Sequence, residues 1–253
     1  MKNVTVIIPV FELNEDKNTL LLNAINSVDD SKIIVVGPKT DIDLVKNNNI
    51  EKNINTIIND NVDHSYAYQV NLAVQNVDTD YFSVLEYDDN FTSIWFKNVN
   101  MYMENDTENT FAFLPLTEVV DVELGPIGYS NEAVWASSFS EEIGCYDLQS
   151  LEDYLDFNTS GGIFKTSDFK TLGMLKPSIK LSFWYEFLFR ALYKGKRIFV
   201  IPKVGYIHTV GRIDSLTSNY MNNMEEKEAN WWIDLAKKEY FFPQDRNKKY
   251  TEE

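Results

Sequence analysis

A single cysteine, Cys145, among 253 residues excludes an internal disulfide. Basic residues are scarce: 23 Lys+Arg against 39 Asp+Glu leave a net charge of −16 and a pI near 4.5. That balance repels phosphate backbones and disfavours nonspecific nucleic-acid binding, whereas it suits a site for divalent cations. Long apolar runs are missing too. None approaches the roughly 18 residues that a membrane helix needs, and the N-terminal MKNVTVIIPVFE turns acidic too soon for a secretory signal. The expectation is a cytoplasmic protein without a membrane span. Internal repeats and low-complexity blocks are also lacking. What the chain does have is 44% hydrophobic and 14% aromatic residues, enough for a sizeable core and against intrinsic disorder. Its length fits one large domain, or one domain with an appendage.

Short runs rich in Val and Ile recur in the first half: VTVIIPV at 4–10, KIIVVG at 32–37, INTII at 54–58 and YFSVLEY at 81–87. Nearly continuous apolar runs of this kind mark strands covered on both faces. Between them, Leu20, Leu21, Ala24, Ile25 and Val28 keep a helical period over 17–28. Tyr66, Val70, Ala73, Val74 and Val77 do so over 64–77, with Asp63 as a candidate N-cap. Strand and helix alternating at this spacing predict right-handed crossovers and a mostly parallel sheet. Ligands of such sheets sit at the carboxyl ends of the strands, which points to 9–12, 37–41 and 86–89. From 104 to 156 the pattern loosens among acidic residues, around one predicted strand at 110–116. Helical spacing returns at 181–194, apolar nearly all round and therefore expected to be buried. A turn at Gly195, a strand ending near His208, a last helix at about 221–240 and a loose polar tail complete the chain.

The densest chemistry lies in LEYDD at 85–89, where Glu86, Asp88 and Asp89 follow a buried strand with no base among them. Strand alternation would set Glu86 and Asp88 on one face, where they repel unless a cation or a hydroxyl donor sits between them. Mg²⁺ or Mn²⁺, which takes a few carboxylates together with phosphate oxygens, is the natural occupant. A solvated turn after a strand is the other reading of the same triplet.

The surrounding sequence adds to this. Read back from Glu86, VNLAVQNVDTDYFSVLEYDD resembles the nucleotide-sugar-binding half of family 2 glycosyltransferases, whose pattern runs ARNxGxxxAxGEYIxFLDxDD. The register holds without a gap: Asn71, Ala73, Val77, Tyr81 and Leu85 fall on the family's Asn, Gly, Ala, Tyr and Leu. The resemblance implies that Asp88 binds the metal, that Glu86 lies near the donor's ribose and the metal, and that Asn71 belongs to the donor site. VTVIIPVFE is similar to the family's first strand, VSVIIPxYN, so Pro9, Phe11 and Glu12 take the positions that cradle the nucleoside.

Downstream, the stretch from Gly161 to Ser215 is similar to the family's acceptor-side segment, with Gly161, Gly162, Phe164, Phe169, Gly173, Arg190, Gly195, Ile201, Pro202 and His208 in place. A His at the position of His208 can complete the metal or diphosphate site, and a neutral imidazole is a competent Mn²⁺ ligand. Arg212 can offer a fork to the diphosphate. Two departures stand out. IIVVGPKT carries Gly37 and Pro38 where the family has an acidic pair near the base, and FWYEFLFR carries Phe183 and Trp184 where its base carboxylate is expected. Glu186 remains, either as the general base that deprotonates the acceptor or as the structural i,i+4 partner of Arg190. Asp153, Asp156 and Asp168 are weaker base candidates. Trp184, Tyr185 and Trp135 are either sugar-stacking or core aromatics, and His64 reads as structural.

The fold implied is a single α/β domain of the GT-A kind, a mostly parallel sheet flanked by helices with an acceptor-side insertion. Residues 1–103 form the nucleotide-sugar half, 104–220 the acceptor-side half, and 221–253 a C-terminal helix and tail. The function implied is metal-dependent, inverting transfer of a sugar from a nucleoside-diphosphate sugar, with Mn²⁺ or Mg²⁺, to a hydroxyl of a glycan, protein or other acceptor. A catalytically silent nucleotide- or sugar-binding protein and a nucleotidyltransferase are the alternatives. The second would carry a Gly-rich, basic phosphate loop after the first strand, and PVFELNED has neither feature.

Overall fold

The computed structural model describes residues 3–48, 52–61, 65–212 and 226–240. One sheet of nine strands runs through it, in the order β3-β2-β1-β4-β8-β6-β9-β5, with β7 paired on β6. The strands are β1 (Val4–Pro9), β2 (Lys32–Gly37), β3 (Ile54–Ile58), β4 (Tyr81–Val84), β5 (Asn90–Phe91), β6 (Ala112–Asp121), β7 (Gly125–Ser130), β8 (Ile163–Lys165) and β9 (Ile198–Val210). β1 to β4 are mutually parallel, β8 runs antiparallel to both β4 and β6, and β9 is parallel to β6. β1, β2, β3, β4, β6 and β9 therefore share one direction, and their carboxyl ends lie along one edge. The mostly parallel sheet read from the sequence is present. In the region from 104 to 156 the strand expected at 110–116 appears as β6, longer than expected, and β7 adds a hairpin that the pattern did not show.

Helices α1 (Glu15–Ser27), α2 (Lys39–Asn47), α3 (Tyr66–Gln75), α4 (Trp95–Glu104), α5 (Leu148–Asp153), α6 (Thr166–Thr171), α7 (Phe183–Tyr193) and α8 (Glu226–Tyr240) accompany the sheet. Alternation along β1 sorts its side chains into two cores. Val4, Val6 and Ile8 pack with Leu21, Ile25, Ile42 and Val99, and Ile7 packs with Val70, Val74, Phe82, Val84 and the α7 aromatics. α7 is buried at nearly every position, as its unbroken apolar pattern requires. Trp184 belongs to the second core, 5.3 Å from the Phe164 ring, with Phe169 and Phe187 beside it. Tyr185 gives its hydroxyl hydrogen to the Leu151 carbonyl at 2.8 Å. Both are core residues rather than sugar platforms.

Several boundaries differ from the sequence reading. α3 is capped by Ser65, whose hydroxyl accepts from the Tyr68 N–H at 3.4 Å; Asp63 and His64 lie outside the described residues. α2 and α4 are additional helices that the sequence reading did not assign. Residues 213–225, which include the predicted start of the last helix, are likewise outside the described set. Among the described residues no helix is long and apolar enough to cross a membrane.

Two glycines fix the working edge. A β-carbon on Gly37 would stand 2.8 Å from the Val10 carbonyl oxygen, so only glycine lets the end of β2 close on the end of β1. Gly161 has φ +73° and its missing side chain faces the Tyr206 ring. Its N–H donates to the Val84 carbonyl at 2.8 Å, and its own carbonyl accepts from the Trp95 indole at 3.0 Å. Gly161→Ala combines left-handed backbone strain with a steric overlap, and we expect a loss of about 3 kcal/mol of stability, read as a lower urea midpoint. An unchanged midpoint would show that Tyr206 yields freely.

Candidate functional site

β4 stops at Val84, earlier than the apolar run to Tyr87 suggests. Leu85 still donates to the Ile7 carbonyl at 2.9 Å, and the chain then turns, with the Asp89 N–H reaching the Glu86 carbonyl at 3.2 Å. Glu86, Asp88 and Asp89 are therefore gathered by a turn at the carboxyl edge, not by strand alternation. This corrects the geometry expected from sequence while keeping the three acids together.

Each acid has a different setting. The Tyr66 hydroxyl donates to Glu86 Oε1 at 2.7 Å and the Ser160 hydroxyl to the same oxygen at 3.3 Å, while the Glu86 N–H donates to the Tyr206 hydroxyl oxygen at 3.1 Å. Burial, followed by the charge of Asp89, pushes the Glu86 carboxyl up to about 7. Asp88 is pushed up to about 6 by the same two causes in the same order. Its Oδ2 faces Arg212 Nε at 3.5 Å. Asp89 has no exposed side-chain surface: Oδ2 meets His208 Nδ1 at 2.9 Å, and Oδ1 accepts from the Thr209 N–H at 2.7 Å. Burial disfavours the His208 imidazolium, but its hydrogen bond to Asp89 and the nearby carboxylates outweigh this and raise its pKa. His208 and Arg212 come from the end of β9, delivered by the parallel pairing of Val119 with His208.

The β1 end lies on the same edge, because Ile7 is in register with Val84. Pro9 closes β1, Phe11 packs at the core margin, and Glu12 takes a left-handed φ of 47° that swings the chain over the edge. The turn is tied down by Asp41, whose Oδ1 accepts from the Leu13 N–H at 3.3 Å. Asp41 is 4% exposed, and its Oδ2 is buried without a hydrogen-bond partner. Desolvation raises its pKa above the ordinary aspartate value. It is the one buried carboxylate close to where the family's acidic pair would stand.

Two expected site residues are used elsewhere. Asn71 spends its whole amide on Leu175, donating to the carbonyl at 2.8 Å and accepting from the N–H at 3.0 Å, so it clamps α3 to the turn before α7 rather than facing the donor. Glu186 has no exposed side-chain surface. Its Oε1 meets Arg190 Nε at 3.0 Å and Lys176 Nζ at 3.1 Å, and its Oε2 meets Arg190 Nη2 at 2.8 Å. A carboxylate gripped by two cations and shut off from water cannot take a proton from an incoming hydroxyl; the assignment of Glu186 as base is replaced by a structural one. Asp168 is paired with Lys196 at 3.0 Å. Asp156 is exposed, accepts from the Ser130 hydroxyl at 3.2 Å and lies four residues before Ser160. Tyr66, Ser160 and Tyr206, which complete the surroundings of Glu86, carried no sequence signal because they come from three distant segments.

Among the described residues no three carboxylate, imidazole or thiol groups already converge as a metal cage. The donor chemistry nevertheless fits Mg²⁺ or Mn²⁺ bound with a diphosphate. Such ions use one or two protein ligands and fill the remainder with phosphate oxygens and water, and Asp88 with His208 can provide two.

No protein-family model matches the chain, and no curated protein does. Solved structures do match in fold. TarS 1–349 of S. aureus in complex with UDP-GlcNAc is similar at a TM-score of 0.64 and 16% identity, over 87% of this chain and 62% of that one. The same TarS fragment with UDP gives 0.61 and 15%, over 97% and 74%. GalNAc-T7 with UDP, GalNAc and Mn²⁺ gives 0.58 and 12%, over 83% and 44%. The fold is thus that of the GT-A glycosyltransferases. In a further structure of TarS 1–349 the chain covers 60% of the neighbour's length.

Glu186→Gln leaves the buried Arg190 without a full counter-charge and should cost about 3 kcal/mol of stability, measured by urea unfolding, with no change in nucleotide affinity; lost affinity at unchanged stability would restore Glu186 to the site. For Asp41 the sign is that of an acid whose pKa is higher when folded. Its protonated form is favoured in the native state, so its contribution is present below the unfolded pKa near 3.8 and is lost as pH rises through the folded value. Asp41→Asn should therefore gain stability relative to the native protein as pH rises above about 4, in thermal melts across pH. A difference between the two that is flat with pH would contradict this.

Proposed function

We propose that the protein is a metal-dependent glycosyltransferase that moves a sugar from a nucleoside-diphosphate sugar to an acceptor hydroxyl, inverting the anomeric centre. The observation that carries this reading is the convergence of Glu86, Asp88, Asp89, His208 and Arg212 at the carboxyl edge of a GT-A sheet, where Glu86 and Asp88 are lifted by burial and neighbouring charge, Arg212 faces Asp88 and His208 faces Asp89. The fold's neighbours in complex with UDP, UDP-GlcNAc and Mn²⁺ make UDP-sugars the first donors to test.

In this reading Pro9, Phe11 and Glu12 border the nucleoside, and Glu86, aligned by Tyr66 and Ser160, accepts from a ribose hydroxyl. Asp88 and His208 hold Mn²⁺ or Mg²⁺, which when bound neutralises charge developing on the diphosphate. Arg212 swings from Asp88 to a diphosphate oxygen, an exchange of one anionic partner for another. With Glu186 unavailable, Asp156 is our candidate for the group that takes the acceptor's proton.

One observation favours a second reading, a nucleotide-sugar-binding protein without turnover: Phe183 and Trp184 occupy the position of the family's base carboxylate, and Glu186 is sealed in an ion pair. Incubation with a panel of nucleotide sugars and Mn²⁺ separates the two. Diphosphate release, abolished by Asp88→Ala and reduced at least tenfold by Asp156→Asn, is the expected result. Thermal stabilisation by nucleotide without any release would favour the silent binder.

A further inference from the structure

Asp89 received no role from the sequence, yet it is the most enclosed acid of the cluster. The side chain has 0% exposure, against 34% for that of its partner His208. Its oxygens are divided: Oδ1 accepts the Thr209 N–H at 2.7 Å and Oδ2 lies 2.9 Å from His208 Nδ1. The Thr209 contact matters because it is made by backbone one residue beyond His208. Asp89 thus holds both the ring and the strand that carries it, and the ring cannot turn without breaking its bond to Oδ2.

An ionised carboxylate only accepts hydrogen bonds, so with Asp89 as the carboxylate the hydrogen of the Oδ2–Nδ1 contact belongs to Nδ1. A neutral imidazole has one ring hydrogen. With Nδ1 carrying it, Nε2 is left with a free lone pair, and Nε2 has no hydrogen-bond partner among the described residues. We infer that Asp89 is a positioning residue: it locks His208 in the Nδ1–H tautomer and leaves Nε2 as a ready ligand. Its use for a metal rests on the function proposed above, whereas the tautomer does not. The arrangement is the one by which carboxylates orient metal-binding histidines and set which nitrogen is basic.

The test uses the full-length protein labelled with ¹⁵N-histidine, without metal, at a pH where the ring is uncharged. His64→Gln assigns the signals, since the chain has 2 histidines. Two-bond ¹H–¹⁵N spectra should show His208 as the Nδ1–H form. In Asp89→Asn, the Thr209 N–H retains the amide oxygen and the amide nitrogen is left to donate to Nδ1, so His208 should switch to Nε2–H while the melting curve stays cooperative. An Nε2–H ring in the native protein, or no switch in folded Asp89→Asn, overturns the inference; the native spectrum decides even if the variant fails to fold. In parallel, Mn²⁺ titration with UDP present should show Asp89→Asn weakened about ten- to hundredfold. If the native protein binds Mn²⁺ and the variant binds it equally well, the role of Asp89 toward the metal is overturned. Failure of the native protein to bind Mn²⁺ at all, with the tautomer as described, would support the positioning of His208 and count against the metal-dependent function instead.

Discussion

Three carboxylates on one turn cannot all stay ionised in a half-buried cleft without positive charge close by. Glu86 and Asp88 are pushed up to about 7 and about 6 because burial and the neighbouring acids act in the same direction. The repulsion is offset locally by the His208 ring on Asp89 and the Arg212 guanidinium on Asp88. Among the described residues, one guanidinium and one imidazole stand against three acids, an excess of negative charge that favours a cation. That imbalance gives the site its character, and the surrounding fold can be understood as the frame that maintains it.

The frame works by bringing distant chain segments to one edge. The apolar strands β1 and β4 fix the Glu86 turn through Ile7 and Val84, and Gly161, free of a side chain, brings Ser160 against Glu86 from the far side. The long β9, in parallel register with β6, carries His208 to within 2.9 Å of an acid 119 residues earlier. The Glu186, Arg190 and Lys176 group, and the Asn71 clamp on Leu175, do comparable work away from the cleft. They anchor the 172–176 segment between α3 and α7, and so keep the second core closed behind the site.

Much of the architecture was legible because apolar runs declare themselves. VTVIIPV, KIIVVG and INTII became β1, β2 and β3 close to their predicted limits, and the all-round apolar 181–194 became the buried α7. The buried start of β6 was read as the strand at 110–116, but its outer half and β7 were less readable, because half-covered strands at a hairpin tip tolerate polar and exposed apolar residues alike. Within the site, the acidic run at 86–89 was visible as a cluster, but what each member does was not. A pattern of letters does not say that Asn71 and Glu186 find partners in the 172–176 segment, nor that Asp89 and not Asp88 turns to His208. The Asn71 and Asp89 contacts span 104 and 119 residues of chain, and even the Glu186–Lys176 pair joins a loop to a helix, which only the folded chain supplies.

The central claim is that the cleft binds a divalent ion and a nucleoside diphosphate together. Electron paramagnetic resonance of free Mn²⁺ during titration, with and without UDP, measures this most directly. The account predicts weak binding of Mn²⁺ alone, strengthened at least tenfold by UDP, with a reciprocal tightening of UDP by the ion. Mn²⁺ that stays free at every protein and UDP concentration would contradict it.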